Sequence, residues 1–233
     1  MRATIAAIMS LYLYLTYTFA YLILLVFGAV LWGRQHRVST LLLLLVTFGV
    51  FYDNLILTLG NWVGAGALLH ALSVPRFVMH QVALPGIIYA AYDQARQAGQ
   101  GWAQRQASRW FAVAVSAAVM VAGIATLLWA LHLEPEMMDG VLRYVAIGVV
   151  GPPIVSIVSI GLVTIGGLIF WRQQRWPWIF LAGIAVFIGE SLPDESLRRA
   201  VGSALEVLFL AVLFVTQQRL DTGRLARRGG SGL

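Results

Sequence analysis

Asp53, His80 and Glu190 are ionisable residues set inside apolar stretches of the chain, in FGVFYDNLILTL, VPRFVMHQVAL and FIGESLP. Carboxylates and imidazoles are the groups that move protons near neutral pH, so this set could supply a general acid, a general base and a proton carrier. We take Asp53, His80 and Glu190 as candidate catalytic residues. Asn54 and Gln81 flank two of them, Arg76 stands one helical turn before His80, and Glu206 lies in the next apolar run after Glu190. A carboxylate from a neighbouring helix could engage Arg76 and His80 together. Tyr14, Tyr17 and Tyr21 recur at spacings of three and four, which places three phenols on one helical face. Asn54, Arg76, Gln81, Glu206, Tyr14 and Tyr17 are the candidate ligand-binding residues.

Each residue also has a plainer role open to it. Glu206 and Arg76 have long side chains that could snorkel to lipid headgroups, and Glu190 could be interfacial beside Pro193. Asp53 is short and deeper in its run, so the choice for it lies between a functional and an ion-paired burial. His80 could be a satisfied core histidine, and the tyrosines an aromatic packing face or belt.

Other chemistries lack their residues. The chain has no cysteine, and all 16 of its Lys+Arg residues are arginine. There is therefore no amine for a retinal Schiff base and no thiolate nucleophile or ligand. One histidine among scattered acids makes no metal set. His36, His70 and His132 lie in or beside loops, which leaves His80 without a facing partner for haem. Gly60, Gly64 and Gly66 separate two apolar runs rather than marking a strand-to-helix phosphate loop. No metal or cofactor is expected, and an enzymatic activity, if present, would be metal-independent.

The elements that must position these residues follow from composition: 60% of the 233 residues are hydrophobic and 11% charged, with a mean hydropathy of +0.81. A spanning helix needs about 20 apolar residues. The sequence predicts an all-α bundle of seven transmembrane helices, over residues 5–31, 38–59, 76–93, 110–132, 141–171, 177–193 and 201–218. The fifth would be long enough to require a bend at Gly151-Pro152-Pro153, where two amide donors are lost. Residues 1–228 form one transmembrane domain in this reading, and 229–233 an appended linker. Gln94 to Arg109 reads as a cytoplasmic loop or interfacial helix.

Of the 16 arginines, 11 fall after the first, third and fifth helices and in the tail, which predicts the N-terminus outside and the C-terminus in the cytoplasm of a bacterial-type inner membrane. The same counting explains the pI near 10.2 as topology, so no nucleic-acid partner is expected. With that orientation Asp53 lies about 8 to 9 Å below the outer end of its helix. Arg76, His80, Glu190 and Glu206 share this outer level, and the inner leaflet holds few polar groups beyond Asp93. An outer-leaflet polar pocket between apolar helices suits an amphipathic lipid or isoprenoid, bound and, in an enzyme, transformed by acid-base catalysis. Membrane lipids are the expected partners. The alternatives are a proton- or ion-coupled transporter or channel, and a non-catalytic scaffold subunit whose polar cluster only joins helices.

Overall fold

Long apolar runs separated by short polar breaks fold as helices because, without water, only intrahelical bonding satisfies every backbone group. The computed structural model describes residues 2–130, 132–147 and 153–229, with side chains over 10–128, 132–147 and 153–223. The helices are α1 (Arg2–Gln35), α2 (Val38–Val63), α3 (Ala67–Ala83), α4 (Gly86–Gln97), α5 (Gln106–Ala130), α6 (Ile154–Gln174), α7 (Trp178–Glu190) and α8 (Glu195–Gly229). Six segments are long and apolar enough to cross a membrane: α1, α2, α3 with α4, α5, α6 and α8. The 13-residue α7 is apolar but shorter. Ile23, Phe111, Val121, Leu128, Ile165 and Ile188 point outward, as side chains facing acyl chains would.

Three expectations are corrected. Among the described residues, no single helix covers 141–171. Residues 141–147 are instead a β-strand, β2 (Val141–Ile147), paired antiparallel with β1 (His132–Met138) so that Met138 faces Val141. Asp139 and Gly140 join the strands with φ of 51° and 77°, the two positive values that a two-residue type I′ turn requires. Gly151 and Pro152, two of the three residues of the expected kink, lie outside the described residues, as do residues 230–233 of the expected linker. Pro153 caps the start of α6, so the proline that was to bend a helix precedes one.

Second, the helix expected at 76–93 starts nine residues earlier at Ala67, runs through Pro75, and breaks at Leu84-Pro85 before α4. Proline lacks the N–H that would continue the ladder, and its ring collides with the carbonyl four residues back. Third, Gln94 is not in a loop but fully buried on α4, and only the turn around Trp102 connects α4 to α5.

Glycines set the closest helix contacts. At Gly28 a methyl group would lie 2.6 Å from the Phe214 ring and 2.7 Å from Leu44, which draws α1, α2 and α8 together. Gly167 lets the α7 backbone at Phe180 approach to 2.8 Å of the same hypothetical carbon, and Gly183 admits Thr164 from α6. The antiparallel α6, α7 and α8 therefore stack closely at the side of the bundle.

The hairpin closes one end of this bundle. Asn61 of α2 donates to the Gly140 carbonyl at 2.8 Å and accepts from the Leu142 amide at 2.6 Å. Arg199 of α8 grips Asp139 through two nitrogens at 2.6 and 3.1 Å, and the Tyr144 hydroxyl reaches the Gly66 carbonyl at 3.3 Å. Glu134 and Glu136 point away from the bundle. A two-stranded sheet has open edges that hydrocarbon cannot satisfy, which sets the hairpin at the membrane surface.

Candidate functional site

Two charges set deep within their helices pair with each other. Arg76 Nε lies 2.6 Å from Asp53 Oδ1, with the arginine 8% and the aspartate 35% exposed. Asp53 is ten residues before the end of α2 and Arg76 nine after the start of α3, so each sits about 14 to 15 Å from its helix end. Both are deeper than the sequence implied. A snorkelling Arg76 is overturned: its helix extends a further two turns beyond it, and its Nε is committed to a carboxylate.

His80 turns toward α6, where its Nε2 shares a 3.0 Å hydrogen bond with Ser156 Oγ. Asp53 stays within electrostatic reach of the imidazole. Ser156 carried no signal in the sequence, since one serine in an apolar helix is ordinary. A hydroxyl bonded to an imidazole is nonetheless the arrangement that lets histidine take a proton from an oxygen. Gln81, the next residue, is wedged against Gly123 of α5, and its Oε1 has no hydrogen-bond partner among the described residues.

Glu206 of α8 faces the same region, with Asp53 and Glu190 both within its electrostatic reach, and neither glutamate is in an ion pair among the described residues. Glu190 lies against Gly202 at the exposed end of α7, so it joins Asp53 through Glu206 rather than directly. Asn54 is turned aside: its Nδ2 bonds the Val50 carbonyl at 2.9 Å on the buried face that also carries Thr58. The tyrosines act as ties. Tyr17 donates to the Ala200 carbonyl at 2.7 Å, Tyr21 is 3.5 Å from the Ser203 carbonyl, and Tyr14 accepts from Arg143 of β2 at 2.9 Å. Tyr14 and Tyr17 also line a cavity of about 210 Å³ beside the Asp139–Arg199 pair.

A larger cavity of about 310 Å³ opens between α3, α5 and the hairpin. Its polar wall includes Arg76, Gln81 and Arg143, and its apolar wall Phe77, Leu127 and Met138. Arg143 is 8% exposed and was not singled out from the sequence, where it fell at the start of a supposed helix.

The expected polar asymmetry is corrected too. At the opposite end, Ser39 donates to Gln217 Oε1 at 2.8 Å, Gln217 to Gln97 Oε1 at 2.9 Å, and Gln97 to Asp93 Oδ2 at 2.7 Å. Asp221 accepts from Gln217 at 3.2 Å and lies 3.7 Å from Arg37. On three spans buried apolar residues separate the two layers: Leu43 and Val46 between Ser39 and Asp53 on α2, Ile87 and Ala90 between Gln81 of α3 and Asp93 of α4, Leu210 and Leu213 between Glu206 and Gln217 on α8. Among the described residues no three His, Asp or Glu side chains are grouped to hold a metal ion.

Fold and composition together define an integral membrane protein built from apolar helices. No protein-family model matches the chain, and no curated protein is significantly similar to it.

Proposed function

We propose that this membrane protein binds an amphipathic lipid or isoprenoid in the cavity beneath the hairpin. The observation that carries the reading is the lining of that cavity, polar at Arg76 and Gln81 and apolar at Phe77, Leu127 and Met138. A small number of fixed polar groups at one end of an apolar wall is what orients a molecule with a head and a tail. In this reading the hairpin end faces outward across a bacterial-type inner membrane, as the arginine distribution favours, and the polypeptide crosses seven times, with α7 as the shortest span. Acid-base work on the bound molecule would fall to His80, next in sequence to the cavity-lining Gln81, together with Ser156, with Asp53 as the nearby negative charge and Glu190, at the exposed end of α7, as a second acid. Conduction is the weaker alternative, because the buried apolar residues between the two polar layers interrupt any path for an ion.

The test is mass spectrometry of small molecules extracted from the purified protein and from Leu127→Trp, which fills the apolar wall. One amphipathic species enriched over bulk lipid in the wild type, and lost from a variant with unchanged melting temperature, supports the proposal. Identical lipid profiles in the two proteins would sink it and leave the scaffold reading.

A further inference from the structure

We infer that the head-binding part of this cavity is an oxyanion site, in which Arg76 and Arg143 hold a singly charged oxyanion. The inference rests on the proposal that the cavity takes an amphipath, and it adds the chemistry of the head. Arg143 is more than nine-tenths buried, yet no carboxylate lies within 4 Å of it among the described residues. Among the described residues its one hydrogen bond runs from Nη2 to the Tyr14 hydroxyl at 2.9 Å, its guanidinium carbon stands 5.3 Å over the Tyr14 ring, and its Nε has no partner. Glu136 faces it across the strand register but is exposed. Arg76 is equally buried, commits Nε to Asp53, and leaves Nη1 without a partner among the described residues. A guanidinium withdrawn from water is costly unless it is paired and its donors are used.

Two guanidinium groups and one carboxylate leave a single positive charge on the cavity wall. One negative charge balances it. Guanidinium forks match the paired oxygens of carboxylates and phosphate esters, so a fatty carboxylate or a phosphodiester head satisfies both the charge and the free donors. The apolar wall at Phe77, Leu127 and Met138 then receives the adjoining chain.

The test is binding to the purified full chain, read by native mass spectrometry and by the shift in melting temperature. The probes are palmitate, phosphatidylglycerol, dioleoylglycerol as a neutral amphipath, and inorganic phosphate as a free oxyanion. Palmitate or phosphatidylglycerol should bind at least tenfold more tightly than dioleoylglycerol. Arg143→Gln should weaken that binding by roughly ten- to a hundredfold, and Arg143→Lys by less, since it keeps the charge. Arg143→Lys also covers the case in which the glutamine variant misfolds. Binding of phosphate alone, abolished by Arg143→Gln, would support the oxyanion site with a free anion as its source. Equal binding of dioleoylglycerol and the anionic probes would overturn the oxyanion inference while sparing the amphipath proposal. Binding of none of the probes would overturn both.

Discussion

Removing both members of the Asp53–Arg76 pair should cost far less than the summed cost of removing each alone. Arg76 is 8% exposed, so Asp53→Asn strands a guanidinium in an apolar setting, at an expected cost of about 3 kcal/mol. Arg76→Met leaves a carboxylate that is 35% exposed and can keep some water, which lowers the expected cost to about 2 kcal/mol. Two unit charges about 4 Å apart attract by about 4 kcal/mol at an effective dielectric near 20, and the exposure of Asp53 screens part of that. A coupling of about 2 to 3 kcal/mol follows, so the double variant should lose about 2 to 3 kcal/mol where simple addition gives about 5. Reversible unfolding in mixed dodecylmaltoside and dodecyl sulfate micelles, followed by fluorescence of the eight tryptophans, measures all four proteins. Additivity within about 0.5 kcal/mol would refute the reasoning, because it would mean that the two groups do not share a buried ion pair.

At the start of α8, Asp194 Oδ1 accepts from the Leu197 amide and the Ser196 hydroxyl, each at 2.7 Å, and the amide bond chiefly holds its pKa below the ordinary 3.8. A lowered folded-state value stabilises the cap above the unfolded pKa and loses that effect as pH falls through the folded one. Hydrogen exchange at Leu197, corrected for intrinsic pH dependence, should therefore stay protected at neutral pH and lose protection below 3.8; Asp194→Ala should abolish both the protection and its acid dependence. Because the chain has no cysteine, single substitutions report orientation cleanly. In spheroplasts an impermeant maleimide should label Met137→Cys on the hairpin, and Gln104→Cys only after permeabilisation. The reverse pattern would invert the proposed orientation.

The long helices were legible because lipid demands continuous apolar runs, and a run of that length has no other solution. The hairpin was hidden by the same signal. VLRYVAI is apolar and only seven residues long, and with the residues after it merges into an uninterrupted hydrophobic stretch that imitates one helix. The Asp139-Gly140 pair between two strand-like runs was the readable warning. Starting the third helix at Arg76 instead of Ala67 made a deep ion-paired residue look like a headgroup ligand. The partners Ser156 and Arg143 escaped because their meaning lies in what faces them. The network from Ser39 to Gln97 to Gln217 escaped because neutral amides near helix ends carry no charge to count.

The two polar layers answer different physical demands, and that contrast supports the proposed site. At the end opposite the hairpin, Asp93 is held by Gln97 and Asp221 by Gln217 with Arg37 nearby, so charge there is met by side chains of the bundle itself. A network of that kind fixes how helices meet. At the hairpin end, among the described residues, Arg143 bonds only the Tyr14 phenol, Glu206 and Glu190 are in no ion pair although Arg198 acts on Glu190 from a distance, and Gln81 keeps an unmatched carbonyl beside a cavity. Folding alone would favour replacing such groups by apolar ones of similar shape, since an unmatched buried charge costs more than it returns. In the proposed reading, a molecule with an anionic head supplies the charge that Arg143 lacks, and its chain fills the apolar wall with carbon.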